Sequence, residues 1–314
     1  MFDLFLKKEP VNDFAVITCF FNFSNSKLRK EAFGVFREGL KRQGAELFVV
    51  ELVYGNEKPF ISQGSHCSHL RTNSVMWSKE NLLNILTRTL PKRIKKVAWV
   101  DGDVIFSNND WEREASEKLQ KEEVVHLCDT VENTNPSGEV DEYRMSIVKG
   151  YLRNHNNFLR TPIKPWGDKN SYHPGMGWAA NRSFFTKVGL FEYDIVGGGD
   201  TTMFLTFISP IASQIGPSDS GTYREEHHST YHGKLKAYNQ KAFARVNKRL
   251  GYIDNDITHI WHGNGKGKMY GHRHQLCGDV NFDRELAKNE DGLLVWEGNR
   301  HEEKFKNLII EQDL

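Results

Sequence analysis

Three short stretches carry side chains able to do chemistry. The first is Val97-Ala98-Trp99-Val100-Asp101-Gly102-Asp103-Val104-Ile105-Phe106, where an apolar run meets Asp-Gly-Asp and continues apolar. Ligands of open parallel sheets collect at the carboxyl ends of strands. Two carboxylates placed there share one cleft, and Gly102 lets the backbone bend so that both approach one hard cation. Mg2+ or Mn2+ held by such oxygens keeps open positions for the oxygens of a diphosphate. An Asp-Gly turn between two strands is the plainer alternative for the same residues.

The second stretch is Gly197-Gly198-Gly199-Asp200-Thr201, ahead of an apolar segment at 203–208. It reads as a loop entering a helix, where backbone comes close to a ligand and Asp200 takes a proton from it. The plainer alternative makes Asp200 an N-cap. The third is Thr258-His259-Ile260-Trp261-His262-Gly263. Histidines three apart on a strand point to opposite faces, so one is expected at a site and the other as a support. His262, before Gly263, is the expected ligand, and a neutral imidazole suits Mn2+.

These stretches need a scaffold, and the first half of the chain alternates strand and helix patterns. Strands are predicted at 14–20, 46–53, 96–101 and 123–128, and helices over 27–43 and 74–89, the latter stopped by Pro91. Such alternation implies parallel strands joined by right-handed crossovers. Residues 129–142 are polar and contain Pro-Ser-Gly, which predicts a loop. The second half alternates less clearly, no linker or internal repeat is visible, and a final helix is expected over about 299–311. The reading is one α/β domain whose second half packs on the same sheet.

Composition excludes several classes. The 314 residues are 38% hydrophobic and 26% charged, enough for a sizeable core and too ordinary for wholesale disorder. A net charge of +1 gives no global argument for nucleic acid or lipid. The four cysteines, Cys19, Cys67, Cys128 and Cys277, form no CxxC pair, which argues against a zinc knuckle or a disulfide scaffold. No window approaches 18 apolar residues, and the N-terminal charges follow a short apolar patch instead of preceding a long one. The expectation is a cytoplasmic protein with no membrane span.

The order strand-Asp-Gly-Asp, Gly-Gly-Gly-Asp, His-x-x-His-Gly is more specific than any of its parts. Over about 14–275 it resembles the GT-A nucleotide-sugar-dependent glycosyltransferases of the DxD, family-2-like type. The resemblance implies an α/β, Rossmann-like fold with a mixed, mostly parallel central sheet flanked by helices. It implies a single catalytic domain over 1–314: a nucleotide-sugar half at about 10–130, an acceptor half at about 140–281 and a closing segment at 282–314. Asp101 and Asp103 match the DxD pair, with Asp103 the direct metal ligand. His262 matches the late metal histidine, and Asp200 the general base of inverting members. Thr18, Phe20, Asn22 and Glu51 match the ends of the first two strands, which cradle the nucleoside. A carboxylate reads a uracil imide or ribose hydroxyl there, and an aromatic ring stacks on a base. Lys79 lies in the segment that closes over the nucleotide, where it neutralises phosphate.

The implied reaction transfers a sugar from a nucleotide-sugar, UDP-linked in the favoured reading, to a hydroxyl acceptor, with Mn2+ or Mg2+ as cofactor. One departure bears on stereochemistry: many inverting members carry Gly-Gly-Glu-Asp, and here only Asp200 follows the glycines. A retaining glycosyltransferase, a nucleotidyltransferase or phosphohydrolase on the same carboxylates, and a sugar-binding relative with a decayed site are the alternatives. Trp166, Trp178 and Trp261 are either sugar-stacking rings or core. Ten Lys/Arg against four acids over 224–274 read as a solvated helix face or as contacts to a phosphate-rich acceptor such as modified DNA.

Overall fold

In the computed structural model, which describes residues 11–154, 172–211, 227–263 and 274–311, the apolar run at 14–20 becomes β1 (Phe14–Phe20), fully inside a seven-stranded sheet. With β2 (Leu47–Tyr54), β3 (Cys67–Thr72), β4 (Lys96–Val100), β6 (Val124–His126), β9 (Gly177–Asn181) and β10 (Leu250–Tyr252), the order is β10-β6-β9-β4-β1-β2-β3. All pairs are parallel except those made by β9, which runs against β4 and β6. This is the mixed, mostly parallel sheet expected.

Alternation along β1 sorts its side chains between two apolar layers. Phe14, Val16 and Phe20 meet Phe33, Phe36 and Leu40 of α1 (Lys27–Gln43) and Trp111 and Ala115 of α3 (Trp111–Lys118). Ala15 and Ile17 meet the other layer, built from Leu82, Leu83 and Leu86 of α2 (Lys79–Thr89), Phe184 of α5 (Arg182–Lys187), α6 (Gly199–Ile208) and α7 (Ser229–Val246). Helices of the second half thus cover the face opposite α1.

Two elements differ from the sequence reading. The helix expected at 74–89 begins at Lys79, because 74–78 is drawn out along two neighbours: Trp77 N–H donates to the Ile195 carbonyl, and Ser74 Oγ accepts from Trp296 N–H. The loop expected at 129–142 is a hairpin, β7 (Thr130–Thr134) and β8 (Val140–Met145), with its turn at 135–138 and Gly138 at φ +83°. Its polar residues mask it locally. Its ladder is completed by β11 (Asp256–His259), more than a hundred residues away, in a four-stranded sheet whose order is β5 (Val104–Phe106), β11, β7, β8.

That second sheet positions one arm of the site. β5 (Val104–Phe106) resumes after the Asp-Gly-Asp turn and runs antiparallel to β11, with Val104 opposite His259. The chain closes with a hairpin of β12 (Leu286–Lys288) and β13 (Leu294–Trp296) and with α8 (Glu302–Glu311). Asn81 of α2 fastens this hairpin, accepting from Leu294 N–H and donating to the Gly292 carbonyl. All four cysteines are free thiols. Among the described residues no helix is long and apolar enough to cross a membrane.

Candidate active site

The parallel strands end at one edge, and the three chemical stretches arrive there. β4 delivers Asp101, whose N–H donates to the Met176 carbonyl at 2.9 Å. Gly102 is glycine for a reason of space: a Cβ there would lie 2.7 Å from the Phe33 ring. The turn therefore sits directly on α1, and Asp101 and Asp103 diverge to either side of it.

Asp103 faces β11 and the residues after it. Its Oδ2 lies 3.0 Å from His262 Nε2 and 3.5 Å from His259 Nε2. Its backbone oxygen accepts from Ile260 N–H at 2.8 Å, so the antiparallel ladder itself fixes the approach. Both rings reach the same carboxylate. The strand, and with it the alternation expected to separate them, ends at His259. Burial would raise the Asp103 pKa, but the two imidazoles hold it well below the usual carboxylate range.

The residues present fit a divalent cation. Asp103, His259 and His262 each offer one ligand atom within 4.8 Å of the others, the one such group among the described residues. His259 Nδ1 lies 3.0 Å from Asn133 Oδ1, and Asn133 Nδ2 donates to Glu142 Oε2 at 2.9 Å. The Asn133 oxygen must then accept, so Nδ1 carries a hydrogen and Nε2 is the ring atom that faces Asp103. A hydrogen-bonded outer partner of this kind is what orients ligating histidines. Asp103 Oδ1 is buried with no hydrogen-bond partner.

Asp101 and Asp200 face the other way, onto Lys79. The Lys79 ammonium lies 2.7 Å from Asp101 Oδ1 and donates to Asp200 Oδ2 at 2.9 Å. Lys79 is the first residue of α2 and only 7% exposed. Burial would lower its pKa, but Asp101, Asp200 and Glu80 hold it well above the ordinary lysine value. The Asp200 carboxyl is raised by burial, against the pull of Lys79. Its second oxygen, Oδ1, is buried without a partner.

The three glycines before Asp200 serve two needs. Gly197 and Gly198 have φ of +89° and +96°, a left-handed pair that side chains resist, and Gly198 caps α6. Gly199 makes room: a Cβ there would lie 2.3 Å from Glu80 Oε1. The Glu80 carboxyl, 2% exposed, therefore stands against the first turn of α6, and burial pushes its pKa up to about 8. Nearby, Tyr231 O–H donates to Asp194 at 2.7 Å. Gly175 packs on Asp200 Oδ2, and its carbonyl accepts from His126 Nε2–H at 2.8 Å. His126 Nδ1 in turn lies 2.7 Å from Ser146 Oγ, and burial lowers the His126 pKa to about 4.

The residues expected to cradle a nucleoside sit at the ends of β1 and β2, each tied internally. Thr18 Oγ1 donates to the Val100 carbonyl. Asn22 accepts from Ser26 N–H and Ser24 Oγ, closing the turn into α1. Glu51 accepts from Phe60 N–H at 2.6 Å and Ile61 N–H at 2.8 Å, holding that loop against the sheet. The Phe20 ring is covered by Phe33 and Phe60. Phe60, 43% exposed, is the ring that reaches the surface there, and no pattern around it in the sequence marks it. Trp178 is core, parallel to Trp99 and against His126, and Trp166 lies outside the described residues. Of the basic residues over 224–274, Arg245 and Arg249 pair with Glu123 and Lys234 with Asp283, while Arg224, Lys266, Lys268 and Arg273 lie outside the described residues.

No protein-family model matches the chain, and no curated protein sequence matches it. Solved structures do. A variant of Drosophila beta1,4-galactosyltransferase 7 in complex with manganese, UDP-Gal and xylobiose is 9% identical, covering 94% of this chain and 99% of that one with a TM-score of 0.38. A candidate glucose-1-phosphate thymidylyltransferase from Bacillus anthracis is 13% identical over 86% of this chain and 96% of that one, with a TM-score of 0.36. A 4-diphosphocytidyl-2C-methyl-D-erythritol synthase from Anaerococcus prevotii is 11% identical over 83% and 96%, also at 0.36.

Proposed function

We propose that the protein is a metal-dependent glycosyltransferase of GT-A type, moving a sugar from a nucleoside-diphosphate donor, UDP-linked in the favoured reading, to a hydroxyl acceptor. One observation carries the reading. At the carboxyl edge of a parallel sheet, a carboxylate set for a cation and a second carboxylate with one unpartnered buried oxygen stand on the two sides of a single turn. Asp103, His259 and His262 would hold the cation. Two imidazoles and one carboxylate suit Mn2+ better than Mg2+, which prefers an all-oxygen shell. When bound, the cation neutralises the diphosphate as leaving group. Asp101 stands on the other side of the same turn, paired with Lys79, and the nucleoside lies over the ends of β1 and β2, beside Thr18, Phe20, Asn22, Glu51 and Phe60.

Asp200 acts at the acceptor. The acceptor oxygen attacks the anomeric carbon, and the bond from that carbon to the diphosphate oxygen breaks with its electron pair leaving on the diphosphate. The hydroxyl proton passes to Asp200 Oδ1, while Oδ2 stays on Lys79. Direct attack of this kind inverts the anomeric centre. A nucleotidyltransferase would use the same cation, but it has less call for a hydroxyl-facing base beside the turn, which favours glycosyl transfer. A panel of nucleotide-sugars with Mn2+, scored for thermal stabilisation and slow donor hydrolysis, tests the class. Asp200→Asn should lower turnover about 10²-fold or more with donor affinity nearly unchanged. Loss of donor binding with turnover retained at saturating donor would move Asp200 to the donor side.

A further inference from the structure

Lys79 touches both halves of the edge. Its ammonium is shared between Asp101, at the end of β4, and Asp200, in the first turn of α6, at 2.7 and 2.9 Å. The first three residues of α2, Lys79, Glu80 and Asn81, are all buried, although the first turn of a helix usually places such side chains in water. Neighbouring contacts hold the turn there. Trp77 N–H is bonded to the Ile195 carbonyl just before it, and Asn81 is bonded to the closing hairpin just after it. The start of α2 is thus held on both sides of Lys79.

Charge decides what such a lysine can do. One ammonium against two carboxylates leaves the trio with net negative charge. The trio therefore repels a diphosphate, and attraction to a donor has to come from the cation side of the turn, at Asp103. What Lys79 does supply is orientation. By engaging Oδ2 it turns Asp200 so that the unpartnered Oδ1 is the oxygen left for another donor. Gly175 closes on Oδ2 from the other side, where a Cβ would lie 3.1 Å away. One oxygen is thus clamped and the other is left over.

We propose that Lys79 is a positioning residue for proton transfer, which aims Asp200 at the acceptor and ties that aim to Asp101, rather than a ligand of the donor phosphates. The proposal rests on the transferase reading and deepens it. The test uses the full chain with Lys79→Met, Asp200→Asn and the double variant, with Lys79→Gln as the replacement should the Met variant fail to fold. Calorimetric titration with UDP and Mn2+ reads donor affinity, and turnover at saturating donor reads the transfer step. Lys79→Met should keep UDP affinity within about threefold and lose turnover on the order of 10²-fold, and the double variant should be no slower than Asp200→Asn alone. A UDP affinity lowered tenfold or more with turnover retained, or losses that multiply in the double variant, would overturn it. If the parent turns over no nucleotide-sugar, the transferase reading fails separately. The same three variants then form a cycle in urea unfolding, where additive effects of Lys79 and Asp200 overturn the clamp and strong coupling upholds it.

Discussion

Glu80 offers a test of the site's electrostatics that needs no substrate. Its carboxyl is 2% exposed, lies against Gly199, and is surrounded by Asp200, Asp194 and a lysine already shared by two acids. Burial raises its pKa from 4.5 to about 8, with Lys79 opposing the rise and Asp200 and Asp194 adding to it. A carboxyl whose folded pKa is raised keeps its proton in the native state while the unfolded chain loses it. Stability is therefore undiminished below pH 4.5 and falls as pH rises toward 8. At about 1.4 kcal/mol per pH unit, the loss between pH 4.5 and 7 is about 3 kcal/mol. Glu80→Gln keeps the shape and cannot ionise, so it should be nearly neutral at pH 4.5 and about 3 kcal/mol more stable than the parent at pH 7. For a chain of this size that is a Tm difference of about 4 to 5 °C. Urea unfolding of both proteins from pH 4.5 to 8 reads it directly. Parallel stability curves would refute the reasoning, because they would mean that Glu80 ionises in the folded protein as freely as in the unfolded one.

His126 should act in the opposite direction over an overlapping window. Its folded pKa of about 4 lies below the unfolded value of 6.5, so stability should fall by about 3 kcal/mol as pH drops through that window, and the limb should flatten in His126→Gln, as read by urea unfolding. His259→Ala and His262→Ala should both weaken Mn2+ binding in a calorimetric titration, and Asp103→Ala should abolish it with the fold intact. Asn133→Leu, which removes the acceptor that fixes the His259 tautomer, should weaken Mn2+ about tenfold, and unchanged affinity would take Asn133 out of the outer shell.

The parts of this protein governed by local pattern were legible in the sequence. β1 and α1 fall where alternation and helical spacing put them, because their apolar residues repeat at the period of the element that buries them. Asp101, Asp103, Asp200 and His262 stand out as candidates in the sequence, since each sits beside a glycine or at a strand end where the chain turns, but the pairing of Asp101 with Lys79 instead of with the Asp103 group does not. The 130–145 hairpin was not legible, because its strands are polar and its partner is β11, more than a hundred residues away. Nor could spacing show that His259 shares the carboxylate of His262, because that depends on where β11 ends. Tertiary structure alone decided that a lysine from α2 joins acids 99 residues apart, and that Gly199 is glycine on account of Glu80. Local sequence carries periodicity and turn chemistry. Which charges face one another in the interior is set by how helices pack across a sheet, and no residue's neighbours in the chain record that.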